Sequence, residues 1–102
     1  MTKLQIENVL RPGKTYPVDQ AKFTAMCTAL LQVLPGAPPG MTPQQAIAAV
    51  KPILPQDLFP GGDKAGWWFK AVQLDQEAKG TIRRAPNAPV RLWRADAATT
   101  AA

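Results

Sequence analysis

The sequence predicts an α+β domain that is mainly α-helical, with three helices at its centre and short extended segments at both ends. Three central stretches combine apolar residues at spacings of three and four with residues that start or stop helices. The two ends instead alternate apolar and polar residues around turns that contain Pro or Gly. Because 102 residues suffice for one modest core, we predict a single domain over residues 1–94 and a disordered tail over residues 95–102.

The N-terminal stretch "KLQIENVLRPGKTYPV" predicts a β-hairpin or a pair of short strands. Leu4 and Ile6 alternate with polar residues, a Pro-Gly turn follows, and a second extended piece surrounds Tyr16. The domain is therefore expected to begin with β-structure.

The stretch "DQAKFTAMCTALLQVLPG" predicts the first helix. Asp19 is a good N-cap, and Pro35-Gly36 ends the helix. Apolar residues at helical spacing form a stripe that must be buried, namely Phe23, Met26, Cys27, Leu30, Leu31 and Leu34. Because Cys27 lies in this stripe, we interpret it as a small core residue and not as a reactive thiol.

The stretch "MTPQQAIAAVKP" predicts a short second helix. Thr42 is its N-cap, Pro43 takes the first helical position, and Gln45 completes a capping box with Thr42. Pro52 ends the helix. Its buried face consists of Ala46, Ile47 and Val50.

The third helix is predicted to start near Asp63 and to end at Gly80, which suits a left-handed cap. On a helical wheel the inward stripe consists of Trp67, Ala71, Leu74 and Ala78, with Trp68 and Val72 on its shoulder. The outward residues are Lys70, Gln73 and Glu77. After Gly80, "TIRR" and "VRLWR" predict two strands joined by the loop "APNAP".

The net charge of +5 lies entirely within residues 64–94, where seven cations stand against two acids, Asp75 and Glu77. The rest of the chain contains five charges of each sign. Such an asymmetry indicates an anionic partner such as nucleic acid, an acidic protein or a membrane surface, and it is also compatible with a solvated face that keeps the protein soluble.

Several kinds of chemistry find no support in the sequence. It contains no His and a single Cys, and its acids are scattered singly, so a general base, a thiolate zinc site and a carboxylate pair all lack their residues. We predict no enzyme, no cofactor and no metal site. The lone Cys and the lack of a long apolar stretch predict a cytoplasmic protein that does not span a membrane.

The order of these elements resembles the winged helix-turn-helix superfamily over residues 19–94, and the likeness rests on the helices Thr42–Pro52 and Asp63–Lys79 and on "EAKGTIRR" and "PVRLWR". The stretch "LPQDLFPGGDKAGWWFKAVQLDQEAKG" also resembles a family of small, uncharacterised bacterial proteins. The first resemblance implies a three-helix core with a C-terminal β-hairpin wing. Gln76 stands where such recognition helices commonly have Leu, so either the helix is rotated to turn Leu74 and Ala78 inward or Gln76 lies at the core edge.

With the charge, this resemblance predicts a nucleic-acid-binding module, such as a small DNA-binding transcriptional regulator. The third helix would enter the major groove, the wing would contact the backbone or minor groove, and the start of the second helix would contact phosphate. Duplex DNA is the expected partner, with RNA as an alternative. The candidate residues are Thr42, Gln44, Lys64, Lys70, Gln73, Arg83, Arg84, Arg91 and Arg94.

Trp67 and Trp68 leave a second hypothesis open. Adjacent helical residues point about 100° apart, so both cannot face the centre of the core. Trp67 is expected in the core, with Trp68 shielding a seam, serving as an exposed stacking platform or partner anchor, or forming a homodimer contact. The alternative function is therefore a protein-interaction module without catalysis that binds an acidic protein near Trp68.

Overall fold

Two β-hairpins flank three helices in the computed structural model, which describes residues 2–86 and 89–95. The elements follow in the order β1 (Lys3–Glu7), β2 (Thr15–Asp19), α1 (Gln20–Val33), α2 (Pro43–Val50), α3 (Ala65–Lys79), β3 (Ile82–Arg84) and β4 (Leu92–Arg94). β1 pairs with β2 and β3 with β4, both antiparallel. Over the described residues, the predicted α+β fold with three helices and two terminal hairpins is confirmed.

The helix ends follow the capping residues of the sequence. The Asp19 carboxylate accepts backbone N–H groups of the first turn of α1. Thr42 and Gln45 form the predicted capping box of α2, with both reciprocal hydrogen bonds present at 3.2 and 3.0 Å. Gly80 ends α3 with a φ of 85°, the left-handed conformation that glycine adopts without a steric penalty.

α1 supplies the centre of the core. The predicted stripe is confirmed, since Phe23, Met26, Leu30 and Leu34 are buried and Cys27 is half-buried at its edge. Buried residues of the other elements pack around this stripe, including Ile6, Val18, Ala46, Val50, Phe59, Trp68, Phe69, Val72, Ile82 and Leu92.

α3 is covered on all sides through its middle. Six consecutive residues, 71–76, are buried, because α1, β1 and β3 all pack against this helix. The N-terminal hairpin is tied to it directly, since the Val9 N–H donates to the Leu74 carbonyl at 3.2 Å. A helix buried in this way has no exposed face along its central turns, in contrast to the one-sided amphipathic helix that the sequence predicts.

The rotation of α3 differs from the prediction. Trp68 is the core tryptophan, with 8% of its surface exposed, whereas Trp67 is 55% exposed. The buried stripe of the first two turns consists of Ala65, Trp68, Phe69 and Val72, which have the helical spacing i, i+3, i+4 and i+7. The prediction that Trp67 and Ala78 face inward is therefore wrong, because this second stripe sets the rotation of the helix.

Gln76, for which the sequence predicts either a rotated helix or a position at the core edge, is buried and hydrogen-bonded. Its amide nitrogen donates to the Asp75 carboxylate at 2.9 Å, and its backbone carbonyl accepts the Thr81 N–H at 2.9 Å. Leu74 is also buried, since the N-terminal hairpin covers that side of α3. Gln76 is thus a polar residue whose hydrogen bonds are satisfied inside the domain.

The C-terminal hairpin is attached to the helical core at both ends of β4. Leu92 and Met41, which precedes α2, exchange two backbone hydrogen bonds of 2.7 and 2.9 Å. The Arg94 N–H donates to the Pro35 carbonyl after α1. Ala95, predicted to begin the tail, is buried and its N–H donates to the Thr81 carbonyl, so this residue is part of the folded domain. Residues 96–102 of that tail, and 87–88 of the hairpin loop, lie outside the described residues.

Candidate nucleic-acid interface

Both acids of the basic segment 64–94 are neutralised within the fold. Asp75 is fully buried, and its carboxylate lies 2.9 Å from the Lys79 ammonium. The Glu77 carboxylate accepts hydrogen bonds from Nε and Nη2 of Arg84, at 3.0 and 2.8 Å, so two parallel hydrogen bonds hold this ion pair. Two cations therefore balance the two acids, and the others carry the positive excess of the segment.

Gln73, predicted to face the nucleic acid, lies inside the fold. Only 3% of its surface is exposed, and its Nε2 donates to the Glu77 carboxylate at 2.8 Å. The prediction that Gln73 points away from the core is therefore wrong, because the elements around α3 enclose this turn. Its amide helps to orient the carboxylate that holds Arg84.

The other predicted residues differ in exposure. Gln44, Lys64, Lys70 and Arg83 are exposed. Arg84 is about one-third exposed while paired with Glu77. Thr42, Arg91 and Arg94 are half-buried, and the Thr42 hydroxyl accepts the Gln45 N–H as part of its cap. The strongest candidates for contact with a partner are thus the exposed cations of α3 and β3.

A groove lies between α2, the first half of α3 and the C-terminal hairpin, and we call it the helix–hairpin groove. Its cavity measures about 200 Å³. Pro43 and Ile47 come from α2, Gly66 and Lys70 from α3, and Arg84 from the hairpin; Phe69, Gln73 and Val90 also line it. The groove brings together the three elements that the sequence analysis assigned to one contact surface.

A second cavity, the tryptophan–lysine pocket, lies at the start of α3. It measures about 480 Å³ and is lined by Lys22, Lys64, Trp67 and Trp68. The two indoles meet edge to face, with ring centroids 4.9 Å apart and planes at 77°. Lys64 has a φ of 57°, the left-handed region that residues with a side chain rarely adopt. The pocket thus combines an exposed aromatic ring with two ammonium groups.

The C-terminal hairpin carries a second aromatic and cationic pair. Arg83 lies directly opposite Trp93 in the β3–β4 register, so the two side chains project from the same face. Both line a cavity of about 460 Å³, whose other residues include Val9, Gly80 and Pro86. Arg83 is exposed and Trp93 half-buried. This face lies on the hairpin that the sequence predicts as a wing.

Two titratable groups outside these surfaces have shifted pKa values. Burial raises the pKa of the Cys27 thiol, the negative charge of Asp75 raises it further, and Lys79 acts in the opposite direction. Burial and the charge of Asp75 also raise the pKa of Tyr16. Both groups stay protonated at neutral pH and line neither the groove nor the tryptophan–lysine pocket.

Within residues 2–86 and 89–95, the side chains of His, Cys, Asp and Glu form no group of three that could hold a metal ion. In the same part of the chain, no helix combines the length and the apolar composition needed to cross a membrane.

These features define a small α+β domain with a basic surface built from α3 and a C-terminal hairpin. Residues 3–92 match the model of DUF6958, described as a family of unknown function, and the chain belongs to that family. This agrees with the predicted resemblance to a family of uncharacterised proteins. Comparisons with curated proteins and with solved structures found no match.

Sequence reasoning missed two residues of the tryptophan–lysine pocket. The helical wheel places Trp67 in the core, although the spacing of Ala65, Phe69 and Val72 is a signal that places it outside. No local signal points to Lys22, because α1 packs beside the start of α3 only in the folded chain.

Proposed function

We propose that this protein is a nucleic-acid-binding module with a winged-helix arrangement, in which β3 and β4 form the wing. The order of three helices followed by an antiparallel hairpin supports the arrangement, as does the attachment of β4 to the segment between α1 and α2. A small DNA-binding transcriptional regulator is the role that fits such a module best.

The observation that carries the proposal is the internal neutralisation of Asp75 and Glu77. Because their charges are balanced by Lys79 and Arg84, the positive excess of residues 64–94 is left on cations such as Lys64, Lys70 and Arg83, all of them exposed. Exposed lysines and arginines attract the phosphate backbone and release its counterions on binding.

The burial of α3 limits which of its residues can contact a nucleic acid. Residues 71–76 are buried, so the central turns of α3 offer no surface for contact with a DNA groove. The N-terminal end of α3 remains exposed at Lys64, Gly66, Trp67 and Lys70. We therefore assign the contact to this end of α3 and to the wing, which would hold phosphates more than they would read base edges.

A salt titration tests the proposal. Labelled DNA and RNA are bound to the wild-type protein over a range of salt concentrations, and the logarithm of affinity is plotted against the logarithm of salt. We expect a linear fall with a slope of about −0.9 for each phosphate contact on duplex DNA. An affinity weaker than about 10⁻⁴ M for DNA and RNA at low salt would contradict the proposal, since nonspecific binders already exceed this value.

A second candidate function is the binding of an acidic protein, and the exposed indole of Trp67 favours it. Tryptophan is enriched among the residues that contribute most to protein interfaces. The sequence hypothesis placed this contact at Trp68, but Trp68 is buried, so the contact would lie at Trp67, Lys64 and Lys22 instead.

A further inference from the structure

Trp67 is a large aromatic side chain exposed in a domain that buries its other large rings of the same region, Phe59, Trp68 and Phe69. A single exposed apolar residue is ordinary on a protein surface. Trp67 differs from Leu10 and Ile53, which are also exposed, because it lines a pocket together with two lysines. We propose that Trp67 is a stacking platform for an unpaired nucleic-acid base, so that the preferred ligand is a strand with unpaired nucleotides.

The indole of Trp67 packs against a chain of aromatic rings that leads into the core. It meets Trp68 edge to face at 4.9 Å, and Trp68 in turn meets the buried ring of Phe59 edge to face at 6.4 Å and 84°. Such contacts stabilise an aromatic side chain beyond the area that it buries. A ring that is already held in place loses less conformational freedom on binding than a mobile one.

The charges around Trp67 fit the phosphates on either side of a stacked base. Lys22 from α1 and Lys64 before α3 line the pocket, and no acidic residue is among the described residues that line it. Lys70 lies one helical turn beyond Trp67 and also lines the helix–hairpin groove. Aromatic rings bordered by positive charge are the recurring device by which proteins bind single strands.

The inference that the stacked base is unpaired follows from the geometry of α3. It rests on the proposed function. Both faces of a base inside a duplex are covered by its neighbours, so an indole can stack only on a base at a strand end, in a loop or in a single strand. Because residues 71–76 are buried, only the N-terminal end of α3 is open to contact with a nucleic acid. The exposed ring at its first turn is the contact that remains for a base.

The test compares three DNA ligands of equal length: a thymidine 20-mer, a duplex, and a duplex with a single-stranded overhang. Affinity is measured by fluorescence anisotropy for the wild type, Trp67→Ala and Trp67→Phe, with Leu10→Ala as a matched loss of another exposed apolar side chain. We expect the wild type to bind the 20-mer and the overhang more tightly than the duplex. Trp67→Ala should weaken 20-mer binding by roughly 5- to 150-fold, the range measured when a stacking aromatic is removed.

The remaining outcomes separate base stacking on Trp67 from the proposed function of nucleic-acid binding. Trp67→Phe should retain most of the affinity for the 20-mer, Trp67→Ala should weaken duplex binding less than 20-mer binding, and Leu10→Ala should resemble the wild type. If the wild type binds DNA but Trp67→Ala binds the 20-mer equally well, stacking is overturned and the proposed function stands. If the wild type binds polyglutamate but no nucleic acid, both are overturned and the pocket belongs to an acidic protein partner.

Discussion

The buried carboxylate of Asp75 accepts a hydrogen bond from the backbone N–H of Glu7 at 2.8 Å, although 68 residues separate the two in the chain. This bond joins the end of β1 to the middle of α3. The neighbouring bond from the Val9 N–H to the Leu74 carbonyl continues the same junction. Asp75 thus fixes the N-terminal hairpin on the helix that it covers.

We expect Asp75→Ala to lower the free energy of unfolding by roughly 3 kcal/mol, because it leaves buried donors, including the Glu7 N–H, without an acceptor. Chemical denaturation measures the change. Lys79→Ala is the comparison and should cost less than Asp75→Ala, since the Lys79 side chain is 40% exposed and the Asp75 carboxylate keeps the Glu7 and Gln76 donors. Equal losses for the two variants would contradict the structural role of Asp75.

The two adjacent tryptophans should differ strongly in their contribution to stability. Trp68→Ala removes a ring from the core and should cost roughly 3–5 kcal/mol. Trp67→Ala removes an exposed ring and should cost less than about 1 kcal/mol. Denaturation midpoints of both variants check this, and a larger loss for Trp67→Ala would mean that α3 is rotated as the sequence alone predicts.

Gly40 should be essential for attaching the C-terminal hairpin. Its φ is 84°, and a Cβ at this position would overlap the Leu92 carbonyl, which accepts the Met41 N–H. We expect Gly40→Ala to cost at least ~3 kcal/mol, from the left-handed backbone and the overlap together. Gly13→Ala is the control, with a similar φ of 83° but open space, and should cost about 1 kcal/mol. Similar melting temperatures for the two variants would count against the Met41–Leu92 contact.

Cys27 should react slowly in the folded protein. Because burial raises the pKa of its thiol, less thiolate is present at a given pH than in the unfolded chain. The folded state also holds this proton more tightly, so stability should fall as the pH rises past the ordinary pKa of a thiol. The rate of alkylation by iodoacetamide at pH 8, with and without denaturant, tests this; equal rates would show that the thiol is not protected.

Local signals predicted the elements well. Asp19, the Thr42–Gln45 box and Gly80 each act within a few residues of the chain, so the sequence contains all the information that sets these helix ends. The alternation around Ile6 likewise predicts its burial in a hairpin. The order of elements followed from these signals together.

The surroundings of α3 could not be predicted in the same way. A wheel assumes one buried face, whereas Gln73 and Asp75 are buried because the hairpins and α1 enclose the helix from several directions. The Glu7–Asp75 bond and the pairing of Arg84 with Glu77 depend on how distant elements pack. The candidate site was therefore predicted by its charge, while the exposure of each residue required the structure.

The most direct test of the basic surface compares two double variants that lose the same charge. Lys70→Ala with Arg83→Ala removes exposed cations from the proposed interface, and Lys3→Ala with Lys14→Ala removes exposed cations from the N-terminal hairpin. Binding of labelled DNA is measured against salt for both. We expect the first variant to bind more weakly and to have a salt slope shallower by up to about two units, while the second resembles the wild type. Equal weakening of both variants, or no change in the first, would contradict the assignment of nucleic-acid binding to this surface.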